Sequence, residues 1–175
     1  SGSLFEALHK TGISDESCSP YLGITTSHWG ELGYEVYMCR TCNRFGDCNY
    51  TNPNPDLLFY VEEYGEINYQ HLNGSLTMIE QMQQEIYNRG PIVCSMYAHA
   101  DSFENYQGGI LQDKNKYEGT THDLVLLGWG TSSDGIDYWI GRNSFGTSWG
   151  GNMKGFFMAQ RGINIYNMEE TCHWA

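Results

Sequence analysis

Residues 121–130 read THDLVLLGWG, and residues 138–150 read YWIGRNSFGTSWG. Each is a short apolar run that ends in glycine-rich turns, which is typical of a buried strand followed by a tight reversal. Each also carries a polar residue where such a strand would normally have none: His122 opens the first run, and Asn143 closes the second. An imidazole held by an amide is the base and orienting group of a nucleophilic triad. A lone histidine is more often structural than catalytic, so the joint spacing of the two motifs is what favours catalysis.

The chain after residue 57 is predicted to alternate strands and glycine-rich turns around one helix. The helix spans residues 78–89, because residues 77–80 form a capping box and Gly90-Pro91 ends it. Its apolar stripe, expected to be core, consists of Met78, Ile79, Met82 and Ile86. The strand-like runs are residues 57–67, 92–96, 124–127, 136–141 and 155–159. Several short strands and one capped helix indicate an α+β fold with a barrel-like antiparallel lobe.

The chain before residue 57 has a different character. Residues 4–10 predict a short amphipathic helix, and a loop-rich, cysteine-bearing region follows it to about residue 55. Residues 52–55 read NPNP, and paired Asn-Pro steps break regular structure. We therefore predict two regions, residues 1–57 and residues 58–175.

Composition and charge limit the kinds of partner and the cell compartment that the chain is expected to have. The 175 residues include 21 acidic and 9 basic side chains, which argues against a nucleic-acid partner, since that needs a basic footprint. No apolar run approaches the length of a membrane span, so membrane insertion is not expected. Two N-x-[ST] sequons, at Asn49 and Asn73, are candidate glycosylation sites, and six cysteines suit an oxidising compartment. We expect a lysosomal or extracellular protein.

The cysteines could serve more than one purpose. Six cysteines allow fifteen pairings, and the sequence alone does not choose among them. Cys39, Cys42 and Cys48 have the spacing of zinc thiolates, but no fourth ligand follows at knuckle spacing. A redox pair is less favoured, because no strand–motif–helix unit surrounds Cys39 and Cys42. Disulfides are the favoured interpretation, and neither a metal nor another cofactor is expected.

The paired motifs as a whole resemble the second half of the papain family of cysteine proteases. Residues 90–93 and 105–110 are further markers of that family. The likeness is greatest to a carboxypeptidase branch of it, and the markers of that branch run through nearly all of the chain: residues 13–18, 39–42, 48–51, 85–87 before Gly90-Pro91, and 168–172. The resemblance implies a papain-like fold. Residues 58–175 would be its right-hand β-barrel lobe, and residues 1–57 a remnant of the left-hand lobe. It also implies disulfides Cys18–Cys39, Cys42–Cys48 and Cys94–Cys172.

The resemblance also implies a role for individual residues. His122 would be the general base that holds a cysteine as thiolate, Asn143 would orient the ring, and Trp149 would pack behind the site. Phe145 departs from the family, which normally has a tryptophan there that shields the His–Asn hydrogen bond. Asp123 departs too, since a small or apolar residue usually follows the histidine at the wall of the specificity pocket. Asp123 would favour a basic or polar substrate side chain, raise the pKa of His122, or simply be a solvated carboxylate at the rim.

The nucleophile is the remaining question. In this family the catalytic cysteine lies roughly 130–150 residues before the histidine, which would place it upstream of Ser1. We therefore expect a C-terminal part of an exopeptidase, inactive alone, that is completed by the cysteine-bearing part of the same protein or by a partner chain. Its substrate would be a peptide or protein. The alternative is a catalytically inactive relative that serves as a structural or binding subunit of a larger assembly. A disulfide-stapled inhibitor or recognition module is less favoured, because it needs neither His122 nor Asn143.

Overall fold

A computed structural model describes residues 2–18, 39–42, 48–51, 58–68 and 76–175. The chain divides into two compact units, one of Ser3–Glu63 and the other of Tyr64–Ala175 together with Ser1–Gly2. The lobe boundary between residues 57 and 58 stays a prediction.

The smaller unit contains the predicted N-terminal helix. Helix α1 spans Gly2–Thr11, and Gly12 ends it in a left-handed conformation (φ +71°) with its N–H donating to the Leu8 carbonyl. A short antiparallel pair follows, formed by β1 (Cys39–Cys42) and β2 (Cys48–Thr51). A disulfide between Cys18 and Cys39 ties the segment after α1 to β1.

The strand predicted over residues 57–67 is mostly wrong. Of the described part of this run, Phe59 forms only an isolated bridge with Ile13, and regular strand begins at Gly65. Phe59 and Tyr60 are exposed, and two exposed acidic residues follow them. Aromatic residues give this run the composition of a strand, but a strand also needs a partner for its backbone groups. Strand β3 (Gly65–Asn68) finds that partner at the C-terminus of the chain.

The larger unit is built around the predicted capped helix, α2 (Met78–Arg89). The Thr77 hydroxyl accepts from the Glu80 N–H, and the Glu80 carboxylate accepts from the Thr77 N–H, so the capping box is confirmed. Met78, Met82 and Ile86 are buried and Ile79 is partly buried, as the apolar stripe predicted. A short third helix, α3, covers Asp101–Glu104.

Within the described residues, seven strands form one sheet in the order β3-β9-β4-β6-β7-β8-β5. Besides β3, the strands are β4 (Ile92–Met96), β5 (Ile110–Leu111), β6 (His122–Thr131), β7 (Asp137–Arg142), β8 (Phe156–Gln160) and β9 (Thr171–Trp174). Neighbours are antiparallel except for β5 and β8, which are parallel. The predicted runs at β4, β6, β7 and β8 are confirmed. Strands β5 and β9 were not predicted.

The core lies on one face of this sheet. Alternation along β4 buries Ile92, Cys94 and Met96, and Cys94 is opposite Cys172 of β9, to which it is disulfide-bonded. Strands β6 and β7 are antiparallel neighbours, so the start of β6 and the end of β7 meet at the same edge of the sheet. That edge carries His122 and Asn143.

Candidate active site

His122 and Asn143 meet across the edge of the sheet. His122 is the first residue of β6, and Asn143 immediately follows β7. The His122 Nε2 atom lies 2.9 Å from Asn143 Oδ1, which confirms that the two side chains are within hydrogen-bond reach. The backbone N–H of Asn143 donates to the Gly155 carbonyl, and only 5% of Asn143 is exposed. The orienting amide is therefore held by both its backbone and its burial.

The contacts of Asn143 fix the tautomer of His122. Asn143 Oδ1 also accepts from the backbone N–H of Ser144 at 2.8 Å. A backbone N–H can only donate, so the atom that faces both partners is the amide oxygen. The imidazole must then donate through Nε2–H, which leaves Nδ1 as the unprotonated nitrogen of the neutral ring. Nδ1 is the atom that can accept a proton in a reaction.

Two aromatic side chains accompany this pair. The Phe145 ring lies with its centroid 5.0 Å from that of His122, and 45% of Phe145 is exposed. The Trp149 ring contacts Phe145 at 5.9 Å and the buried Phe103 at 5.0 Å, and its indole N–H donates to the Glu104 carbonyl. Trp149 thus lies behind Phe145, while Phe145 covers the imidazole and leaves part of it open to water.

Asp123 follows His122 along β6, but its side chain contacts a different residue, Ser95. Its carboxylate accepts from the Ser95 hydroxyl at 2.6 Å, because Ser95 and Asp123 are directly opposite in the β4–β6 register. Successive residues of a strand point to opposite faces, so the side chains of His122 and Asp123 diverge. Both nevertheless line an open recess of about 500 Å³ with Ser95, Thr120 and Thr121. Of the described residues that line it, Asp123 is the one that carries a formal charge at neutral pH.

A second histidine, which the sequence analysis did not single out, lies on the other face of the sheet. His173 of β9 is only 7% exposed. Burial disfavours the charged ring and lowers the pKa of His173, while the carboxylates of Glu66 and Asp123 act in the opposite direction. Glu66 is opposite His173 in the β3–β9 register. His173 therefore belongs to the packing of the sheet rather than to the pair at its edge.

The Asn143 amide leaves one group unpaired. Its Nδ2 is buried and has no hydrogen-bond partner among the residues that the structure describes. Buried polar atoms nearly always have a partner. Nothing in the sequence pattern pointed to this atom, because only the pairing of His122 with Oδ1 follows from the motif.

The remaining predicted residues have mixed outcomes. The disulfides Cys18–Cys39 and Cys94–Cys172 are present. Cys42 and Cys48 are opposite each other in the β1–β2 backbone register, but their side chains lie outside the described part of the chain, as does that of Asn49. Asn73 lies wholly outside it. Among the described residues, no cluster of three or more His, Cys, Asp or Glu residues could hold a metal ion, and no helix is long and apolar enough to cross a membrane.

Comparison with known proteins identifies relatives over the same residues. The family model described as papain family cysteine protease matches residues 2–175. Cathepsin Z of Onchocerca volvulus is 34% identical over 99% of this chain and 53% of its own length. A cysteine protease of Blomia tropicalis is 35% identical over 70% of this chain and 35% of its own length.

The solved structures agree with the sequence relatives. A structure from a study of antibody cross-reactivity between the mite allergens Blo t 1 and Der p 1 has a TM-score of 0.67 and 26% identity. The match covers 98% of this chain and 46% of that chain. This chain thus spans about half the length of the cathepsin Z relative and of the allergen-study structure.

Proposed function

Because the chain belongs to the papain family of cysteine proteases, we propose that it supplies the general base and the orienting amide for peptide-bond hydrolysis. The nucleophile is a cysteine on a segment that precedes residue 1 in the same protein, or on a partner chain. The observation that carries this proposal is the 2.9 Å contact between His122 Nε2 and Asn143 Oδ1, which leaves Nδ1 free to take a proton.

The proposed chemistry follows from that free nitrogen. Nδ1 takes the proton of the thiol, and the resulting thiolate–imidazolium pair holds the pKa of the thiol at roughly 3–4. The thiolate attacks the carbonyl carbon of the scissile bond, and the imidazolium gives its proton to the leaving amine. Water then attacks the carbonyl carbon of the acyl-enzyme while Nδ1 accepts its proton, and the C–S bond breaks to release the carboxylic acid and regenerate the thiolate. Asn143 Oδ1 accepts from Nε2–H throughout, so the ring keeps its orientation and only Nδ1 gains and loses a proton.

The substrate side of the proposal rests on the recess beside His122. Asp123 places a carboxylate there, and Ser95 fixes its orientation by donating to it. A basic or polar substrate side chain is the best match for that lining. The likeness to cathepsin Z favours a cathepsin X or Z type of exopeptidase, working in the lysosome or outside the cell on peptides or proteins.

An inactive relative is the second candidate. Phe145 favours it, because this side chain is 45% exposed and covers the His122–Asn143 hydrogen bond less completely than an indole would. Such a protein would keep the fold as a structural or binding subunit of a larger assembly.

One experiment separates the two candidates. The full-length natural protein is treated with a thiol-alkylating epoxide and assayed on peptides at acidic pH, as wild type, His122→Ala and His99→Ala. His99 is a matched control, since it is an exposed histidine of the same unit that contacts Glu104. We expect activity that the epoxide blocks, that His122→Ala abolishes and that His99→Ala leaves intact. A full-length protein without activity or epoxide labelling would favour the inactive relative. Hydrolysis by residues 1–175 alone would contradict the need for an upstream cysteine.

A further inference from the structure

The turn before β9 has an unusual backbone. Asn164, Tyr166 and Asn167 all have positive φ, at 52°, 52° and 64°. Asparagine adopts the left-handed region fairly readily, but a bulky aromatic residue there is an outlier. Tyr166 is also almost completely buried, at 1% exposed. Backbone strain of this kind persists only where the surroundings fix it, and it tends to occur where it serves a function.

The turn aims one side chain at the segment that leads into His122. The Asn167 side-chain amide donates to the carbonyls of Tyr117 and Gly119, both at 2.9 Å. Asn167 is only 6% exposed. Residues 118–121, by contrast, are exposed, and Gly119 itself has a φ of +71°. A buried amide therefore fastens an otherwise solvent-facing segment immediately before the candidate general base.

Both ends of this segment are fastened to β4 or to the residues just after it. At one end the Tyr117 ring stacks on Tyr97, with centroids 4.6 Å apart. At the other end the Thr121 N–H donates to the Met96 carbonyl, and the Thr121 hydroxyl accepts from the Ala98 N–H. The turn before β9 also holds Tyr97 itself, because the Tyr166 carbonyl accepts from the Tyr97 N–H.

We propose that Asn167 is a positioning residue for His122. By holding the Tyr117 and Gly119 carbonyls, it sets the path of residues 117–121 and so fixes where the His122 ring meets Asn143. The catalytic consequence rests on the proposed function, whereas the effect on the ring does not.

Two substitutions remove the amide while keeping the backbone. Asn167→Gly retains easy access to positive φ and deletes both donors. Asn167→Asp keeps the shape but presents a carboxylate oxygen to carbonyls that need a donor. Asn164→Gly is the matched control: it is the same change at another left-handed position of the same turn. The Asn164 side chain contacts Glu169 and Glu170 instead of the segment.

The test uses the full-length protein with two readouts. In peptide hydrolysis, Asn167→Gly and Asn167→Asp should lower kcat by about ten- to a hundredfold, because misplacement of a reacting group by about 1 Å costs about that much. KM should change far less, and Asn164→Gly should keep wild-type kcat. In NMR of protein with ¹⁵N-labelled histidine, the His122 Nε2–H resonance should shift and exchange faster in both Asn167 variants, and remain unchanged in Asn164→Gly.

The outcomes separate the two proposals. Unchanged kcat and an unchanged His122 resonance in the Asn167 variants would overturn the positioning role. Equal losses in Asn164→Gly would also overturn it, since they would indicate general damage to the turn. If the wild type hydrolyses nothing, the proposed function fails, and the His122 resonance alone decides the positioning role. If neither Asn167 variant folds, exchange of the wild-type Asn167 side-chain amide decides: protected protons support the role, and freely exchanging protons contradict it.

Discussion

Removing the Cys94–Cys172 disulfide should destabilise the larger unit more than removing Cys18–Cys39 destabilises the smaller one. The two bonds close loops with sequence separations of 78 and 21 residues. A longer loop loses more conformational entropy in the unfolded chain when it is closed. In the chain-entropy model these loops correspond to about 4.5 and about 3.3 kcal/mol at room temperature.

The two disulfides also differ in packing, and this difference again predicts a larger loss of stability when Cys94–Cys172 is removed. Cys94 and Cys172 are fully buried and pair directly across β4 and β9, whereas Cys18 is half-buried near a turn. Replacing the buried pair by alanine leaves a small cavity, which adds to the entropic loss. The pair of double variants therefore provides an internal comparison, because each deletes one disulfide by the same chemical change.

The measurement is urea unfolding of the full-length protein with Cys94→Ala/Cys172→Ala or Cys18→Ala/Cys39→Ala. Fluorescence should show a loss of unfolding free energy that is larger for the first double variant, by at least about 1 kcal/mol. An equal loss, or a larger one for the second double variant, would refute the reasoning from loop length and burial.

Three further outcomes are expected. Asp123→Asn should reduce the preference for peptides with a basic side chain over neutral ones, seen as a smaller ratio of their kcat/KM values; an unchanged ratio would mean that Asp123 is only a solvated carboxylate. Burial lowers the pKa of His173 in the folded protein, so the unfolded chain takes up a proton first as the pH falls through about 6.5, and stability should decline below that pH. Urea unfolding at pH 7.5 and pH 5 should therefore show a smaller pH dependence for His173→Gln than for wild type, and an equal dependence would count against this cause. Thr77→Ala should cost about 1 kcal/mol of unfolding free energy by removing the helix cap, while the exposed Ser133→Ala should cost almost nothing; thermal unfolding measures both.

The elements predicted correctly are those with local signals. Helix α2 carries its own cap and apolar stripe, and β4 is bounded by Gly90-Pro91 and strictly alternates in burial. Strand β9 reads TCHW, which at four residues is too short for a strand pattern to be recognised; it is a strand because β3 and β4 pair with it on either side. The strand predicted over residues 57–67 was mostly wrong for the opposite reason, since most of its described residues have no strand beside them.

Some contacts of the candidate site could likewise be predicted from local sequence motifs, and others could not. His122, Asn143 and Phe145 lie in two sequence motifs, so their proximity could be predicted. Ser95 reaches Asp123 only through the β4–β6 register, which sequence does not reveal. Asn167 acts across 48 residues on Gly119 through a left-handed turn. Contacts that depend on strand pairing or rare backbone conformations need the folded chain.

The rate of alkylation at the proposed upstream cysteine, followed with iodoacetamide between pH 4 and pH 8, tests whether His122 holds a thiolate. An ordinary thiol with a pKa near 8.5 loses about tenfold in reactivity for each pH unit below that value. In the full-length protein we expect labelling at pH 5 to remain within about tenfold of that at pH 7, and His122→Ala to restore the steep decline. A wild-type cysteine that follows the ordinary decline, or one whose profile is the same in His122→Ala, would contradict the role assigned to His122.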